Sequence, residues 1–206
     1  DIMLGRRTPS LIKEQLLSLD VKDILDKSEV VIANLEAPFF TGDSVMGLKA
    51  DPEMAKYCKD ITAFSLANNH IFDQGIKGFE ETIETLNSNQ IAYFGTLEKP
   101  AYKKISEEHK TLNIVGCLDF SIIKGKSEED IKLYKKHILS LEDSENIKIS
   151  ILNTDDTINI LYVHGGDEFI PIISCKLKSL LMKYSEYGFD YIFVNHSHVT
   201  GSFYKI

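Results

Sequence analysis

Histidine, asparagine and carboxylate residues gather at four places along this 206-residue chain, each directly after a short apolar run. Asn34 and Glu36 close the run Val30–Leu35. Asn68, Asn69 and His70 follow Ile61–Leu66. His164, Gly165, Gly166, Asp167 and Glu168 follow Ile158–Val163, and Asn195, His196, Ser197 and His198 follow Tyr191–Val194. Asp1 stands just before the short apolar Ile2–Leu4. Imidazole, carboxylate and amide oxygen suit Mn²⁺, Fe²⁺, Zn²⁺ or Mg²⁺, and no thiolate is placed to enforce a tetrahedral structural zinc site. His196 and His198 are two residues apart, so a turn there lets both imidazoles face one rim, one for each of two ions. Two cations roughly 3.5–4 Å apart can share a nucleophile and clamp the attacked and leaving oxygens of a displacement at phosphorus.

The elements that must position these groups follow from the apolar pattern. The four runs, with Leu112–Leu118 as a fifth, are rich in β-branched residues and read as buried strands. Ile76, Phe79, Ile83 and Leu86 recur at helical steps, as do Leu177, Leu180, Leu181, Tyr184 and Tyr187, with Gly188 as a stop. Leu11, Ile12, Leu16 and Leu19 predict an earlier helix with Ser10 as its cap. Strands alternating with helices define an α/β domain. In such sheets ligands bind outside the carboxyl ends of the strands, so the strand-end clusters are expected to converge on one site. Residues 122–156 are rich in Lys, Glu, Asp and Ser, with a weak helical pattern near Ile131–Leu141. They are expected to form a peripheral insertion on the sheet edge or over a cleft. No repeat or linker divides the chain, so residues 1–206 read as a single domain.

Composition narrows the function classes. With 23 Lys plus Arg against 31 Asp plus Glu, the formal charge of −8 argues against a nucleic-acid partner and leaves carboxylate for holding cations. Cys58, Cys117 and Cys175 form no CxxC pair and suggest no disulfide framework, and Cys117 reads as a small buried hydrophobe. No apolar stretch approaches the ~20 residues that span a bilayer. With Asp1 as first residue, a preceding signal or anchor segment is compatible with the sequence.

Five blocks then stand in a telling order: Asp1-Ile2-Met3-Leu4-Gly5-Arg6, Asn34-Leu35-Glu36, Ser65-Leu66-Ala67-Asn68-Asn69-His70 running on to Asp73-Gln74-Gly75, His164-Gly165-Gly166-Asp167-Glu168, and Asn195-His196-Ser197-His198. This order resembles the bacterial capsule-synthesis CapA family of the poly-γ-glutamate type, a branch of the calcineurin-like metallophosphoesterase superfamily. The resemblance implies a four-layer α/β/β/α sandwich. Its relatives continue past the HxH block, so C-terminal strands are expected to be lacking within these residues. It also implies a centre of one or two divalent metal ions, with Asp1, Glu36, Asn69, His164, His196 and His198 as ligands. His70 would assist the leaving group. Asn68, Asp73 and Glu168 are expected to support the site, Glu168 by orienting an imidazole from behind. Arg6 and Lys49 are candidates for contacting an anionic substrate.

Departures from the family pattern bear on the chemistry. Met3 stands where the superfamily's first motif has a histidine, Glu36 replaces a bridging aspartate, and Gly165 replaces the tryptophan of a frequent HWG block. The expected activity is hydrolysis, a metal-bound hydroxide attacking a phosphoester or an amide. The expected setting is capsule or poly-γ-glutamate biosynthesis at the cell envelope, extracytoplasmic or membrane-associated, with a cytoplasmic place as the alternative. Expected partners are an anionic polymer or phosphoester substrate and a capsule-synthesis membrane complex. The competing class is a non-catalytic subunit of such a synthesis or export complex, with a vestigial or structural metal site.

Overall fold

The structure, a computed structural model, describes residues 1–5, 19–43, 47–107 and 109–204. The helix expected over Leu11–Leu19 with its Ser10 cap falls almost entirely outside these residues, and Arg6 lies outside them. The chain forms two compact units, Asp1–Leu66 with His70–Tyr93, and Ala67–Asn69 with Phe94–Ile206. Both combine sheet and helix, as the α/β reading requires.

The first unit holds α1 (Leu19–Asp26), β1 (Ile32–Asn34), a 3-10 helix at Pro52–Cys58, β2 (Ala63–Ser65) and α2 (Gly75–Ser88). β1 pairs parallel with β2, placing Asn34 opposite Ser65, and β3 (Ala92–Phe94) completes a sheet ordered β1-β2-β3. The α2 helix forms where the Ile76–Leu86 periodicity predicts it, but its buried face is centred on Phe79, Thr82 and Leu86, with Ile76 and Ile83 half-buried. A threonine can take that place because its hydroxyl is satisfied on both sides. It accepts from the Phe39 N–H at 2.8 Å and donates to the Gly78 carbonyl at 2.6 Å.

The second unit contains β4 (Ala101–Ile105), β5 (Thr111–Leu118), α3 (Glu128–His137), α4 (Ser144–Ile149), β6 (Thr157–His164), α5 (Cys175–Glu186) and β7 (Tyr191–Asn195). Its sheet runs β4-β5-β6-β7, with β4 antiparallel to β5 and the other neighbours parallel. Val115, Cys117, Leu161 and Val163 send alternate side chains to one face, where they meet Leu177, Leu181 and Tyr184 of α5. Each such aliphatic side chain contributes roughly 1.5–3 kcal/mol on burial. The α5 helix starts where the Ser174 hydroxyl accepts from the Leu177 N–H, and Gly188 takes the positive φ of +114° that ends it.

The 122–156 stretch does more than cover the sheet. Leu139, Leu141, Ile147 and Ile151 belong to the same buried cluster, and Leu118 bridges to Ser140. Its polar composition hides this because apolar side chains are spaced among charged ones that cap and solvate α3 and α4. Two short strands, β3 and β4, have no counterpart in the strand reading; β4 is half-buried to exposed and too polar to stand out as an apolar run.

Strand register is pinned from below by buried polar groups. Asn113 of β5 lies opposite Asn159 of β6 and donates to its side-chain oxygen at 2.8 Å and to the Ser150 carbonyl at 2.8 Å. Asn159 donates in turn to the Leu152 carbonyl at 2.9 Å, and its backbone N–H reaches the Asp190 carboxylate at 2.8 Å, just before β7. Asn159→Ala leaves several of these buried groups without partners and is expected to lower stability by about 1–3 kcal/mol, read as a fall in the urea midpoint with an unchanged m-value.

The thiols give a second check. Burial pushes the Cys58 thiol up to about 12, and Cys117, fully enclosed, is raised still more firmly, with Glu142 and Asp119 adding to the effect. Only the thiolate is nucleophilic, so a raised thiol stays protonated and inert at pH 8. Cys175 is exposed, and a thiol reagent at that pH is expected to titrate one cysteine in the folded chain and all three in denaturant. Cys175→Ser should abolish the fast reaction.

Candidate metal centre

The carboxyl ends of the three parallel strands of the second unit finish side by side. Leu118, His164 and Asn195 share one level of the register. The backbone beyond stitches them together: the Asp119 N–H donates to the His164 carbonyl at 2.9 Å, and the Gly165 N–H to the Asn195 carbonyl at 3.0 Å. Gly165 is required by this closeness, since a Cβ there would lie 2.6 Å from the Asp119 Cβ.

On this rim the second unit brings together Asn69, His164, His196, His198 and Glu168. His164 and His196 are buried, their ring centroids 4.8 Å apart, and His196 and His198 lie 5.9 Å apart. His164 Nε2 lies 2.9 Å from Asn69 Oδ1. Asn69 is held from behind by the Tyr134 hydroxyl, which donates to its carbonyl at 2.6 Å. His196 and His198 adopt positive φ, +109° and +55°, a strained backbone for side-chain-bearing residues that the surrounding loop must enforce.

The donor set fits a divalent ion. His164 Nε2 and Asn69 Oδ1, hydrogen-bonded at 2.9 Å, are a nitrogen and an oxygen of metal-ligating type side by side. Ligand atoms of Glu168, His196 and His198 all lie within 4.8 Å of one another, so the three can be drawn in around one ion. Nitrogen and oxygen donors without thiolate suit Mn, Fe or Zn.

The first unit assembles the other expected residues. The buried Asn34 amide donates to Asp1 Oδ1 at 2.8 Å and to Glu36 Oε2 at 2.5 Å, holding both carboxylates on one side chain. His70 Nδ1 sits 2.8 Å from Asp73 Oδ2, and its Nε2 is 4.0 Å from Glu36 Oε1. A carboxylate only accepts, so Nδ1 carries the hydrogen and Nε2 is left as the outward nitrogen. Asp73 also accepts from the Leu48 N–H at 2.9 Å, which ties the 47–49 loop to the histidine. Lys49 donates to the Gly42 carbonyl and lies 5.8 Å from the Phe40 ring centroid, so its ammonium is engaged within its own loop. Asn68 is fully buried in the second unit.

Three contributions were not read from the motifs: Asn34, named there within its block, as the clamp on two carboxylates, Tyr134 as the prop behind Asn69, and Asp119 packed beside Gly165. A polar residue inside the apolar run Val30–Leu35 was the available signal for Asn34. Tyr134 and Asp119 act through tertiary contacts that sequence spacing does not encode.

The sequence model of the family described as "Bacterial capsule synthesis protein PGA_cap" matches residues 1–205, and the chain belongs to that family. It is 27% identical over 213 residues to PGA biosynthesis protein CapA of Bacillus subtilis (strain 168), covering 97% of this chain and 56% of that protein. It is 25% identical over 230 residues to Capsule biosynthesis protein CapA of Bacillus anthracis, covering 98% and 54%. The chain therefore spans about half the length of these curated relatives. A hypothetical protein from Thermus thermophilus, known from its crystal structure, shares the fold with a TM-score of 0.52 at 16% identity, across 88% of this chain and 61% of that one.

Gly165→Ala is expected to destabilise the chain by about 1–3 kcal/mol through overpacking against Asp119. Because the displaced backbone is the one that carries His164, Mn²⁺ affinity measured by calorimetry should fall in the same variant.

Proposed function

We propose that this chain serves capsule or poly-γ-glutamate biosynthesis as a metal-dependent hydrolase of the metallophosphoesterase type, acting on a phosphoester or amide bond of an anionic polymer or its precursor. The observation that carries this reading is the gathering of Asn69, His164, His196, His198 and Glu168 on one strand-end rim in a chain of the PGA_cap family. The names of the two bacillary relatives support the capsule setting. An envelope location and association with a capsule-synthesis membrane complex belong to the same proposal; no helix among the described residues is long and apolar enough to cross a membrane. Asp1 and Glu36 are proposed as further ligands on the order of the sequence motifs.

When bound, one or two divalent ions supply Lewis acidity, bringing the pKa of water toward neutrality and polarising the bond under attack. The rest is the work of the side chains. His164, His196 and His198 serve as neutral imidazole donors, and Asn69, its backbone carbonyl held by Tyr134, offers its side-chain amide oxygen. His70 is assigned the proton delivered to the leaving group. Asp73 holds its Nδ1 hydrogen, so Nε2 would first take up a proton and then pass that proton to the leaving oxygen or nitrogen, and the 25% exposure of the side chain leaves the ring within reach of a substrate. Arg6 is the proposed contact for substrate anions, and Lys49 would have to leave the Gly42 carbonyl to join it.

The test uses the purified chain, stripped by chelator and reloaded with Mn²⁺, assayed on an aryl phosphate and on a γ-glutamyl amide. Removal of a general acid costs about 10²–10⁴ in rate, and His70→Ala is expected to lose that much with metal content unchanged. His164→Ala and His196→Ala should lower metal content, and His109→Ala should change neither quantity. Stoichiometric metal with no turnover on either substrate would place the chain in the other class, a non-catalytic subunit with a structural metal site, which the Met3 substitution in the first motif favours.

A further inference from the structure

We propose that the Glu168 carboxylate is itself a metal ligand, joining His196 and His198 on one ion, rather than a group that orients an imidazole from behind; the proposal rests on the metal-binding reading above. The loop after β6 delivers this side chain to the loop after β7. The Phe169 N–H donates to the Ser197 carbonyl at 2.7 Å, which fastens the residue following Glu168 to the residue between the two histidines. Phe169 takes a φ of +61°, and its ring lies 6.3 Å from that of His198, so the loop is turned back onto the histidine pair. The result is that one carboxylate oxygen and one nitrogen of each imidazole lie within 4.8 Å of one another.

The geometry distinguishes the two roles of a carboxylate near a metal-binding histidine. An orienting carboxylate accepts the hydrogen of the distal ring nitrogen at about 2.8 Å. Here one Glu168 carboxylate oxygen shares the space where ligand atoms of His196 and His198 converge, all within 4.8 Å of one another. Two neutral imidazoles and one carboxylate place a single negative charge beside a divalent cation and leave coordination positions open for other ligands and substrate. Glu168 is exposed, so a charged carboxylate is inexpensive to keep there before an ion arrives.

Co²⁺ provides the readout, because its visible absorption reports coordination number and ligand type independently of turnover. Titrating the chelator-treated wild-type chain with Co²⁺ is expected to give saturable visible bands. Glu168→Gln is expected to shift or weaken those bands and to lower Co²⁺ affinity by at least the 10–100-fold that loss of a supporting group would cause. Glu168→Asp should recover part of both, and Glu128→Gln, a change at another exposed glutamate, should alter neither. Circular dichroism verifies that each variant is folded. Wild-type bands that persist unchanged in Glu168→Gln would overturn direct ligation while leaving the metal-binding reading intact. A wild-type chain that binds no Co²⁺ and no Mn²⁺ would overturn both.

Discussion

The structure of the second unit depends on strand register. Parallel β5, β6 and β7 present side chains with period two, so a slip of one residue would send the buried faces to solvent and the polar strand ends away from one another. Hydrophobic burial alone specifies a face but tolerates a slip of two. The Asn113–Asn159–Asp190 network removes that freedom, because buried amide groups must find partners and only one alignment supplies them. Fixing the chain at Asn113, Asn159 and Asp190 in this way fixes the carboxyl ends of the strands further along, where Leu118, His164 and Asn195 come level. The histidines therefore inherit their positions from asparagines at the opposite end of the sheet.

The same rim shows how a fold accommodates polar residues in its interior. His164 and Asn69 are buried against each other, and Asn69 is held in turn by a tyrosine drawn from the polar 122–156 stretch. That stretch is thus coupled to the site through one hydroxyl while its aliphatic residues are coupled to the core under β5 and β6. Its charged surface and its buried side chains perform different tasks on the two sides of the same helices. The positive φ values at His196 and His198 fit this picture: the strain of holding two imidazoles at a tight turn is sustained by the cross-loop hydrogen bond from Phe169 to Ser197.

Much of this was legible in the chain itself, and the limits have physical causes. The five apolar runs became strands because a buried parallel strand is nearly continuously hydrophobic, and α2 and α5 followed from their 3.6-residue periodicity. Strand ends shifted by a residue or two, shortened at Ile32–Asn34 within Val30–Leu35 and lengthened at Thr157–His164 around Ile158–Val163, because hydrogen bonding rather than hydropathy decides where pairing stops. The short β4 escaped notice because an edge strand with one neighbour and solvent on much of its surface has no need of apolar residues. The gathering of Asn69, His164, His196, His198 and Glu168 was readable from strand-end positions. The props behind them were not, since Tyr134 and Asp119 come to the rim from distant parts of the sequence only once the fold has formed.

In the first unit, the electrostatics of Asp1 and Glu36 carry the same logic. Both carboxylates are bound to the two hydrogens of one Asn34 amide, which brings like charges close in a partly buried place. A neutral amide orients such a pair but does not cancel their repulsion, and at low effective dielectric that repulsion is worth several times its value in water. Either a proton shared between the carboxylates or a cation beside them relieves it. His70 stands 4.0 Å from Glu36 with its Nδ1 already committed to Asp73, so its outward Nε2 faces the carboxylate side of the unit. The ring is thus held between two acidic side chains of the same unit, one on each nitrogen.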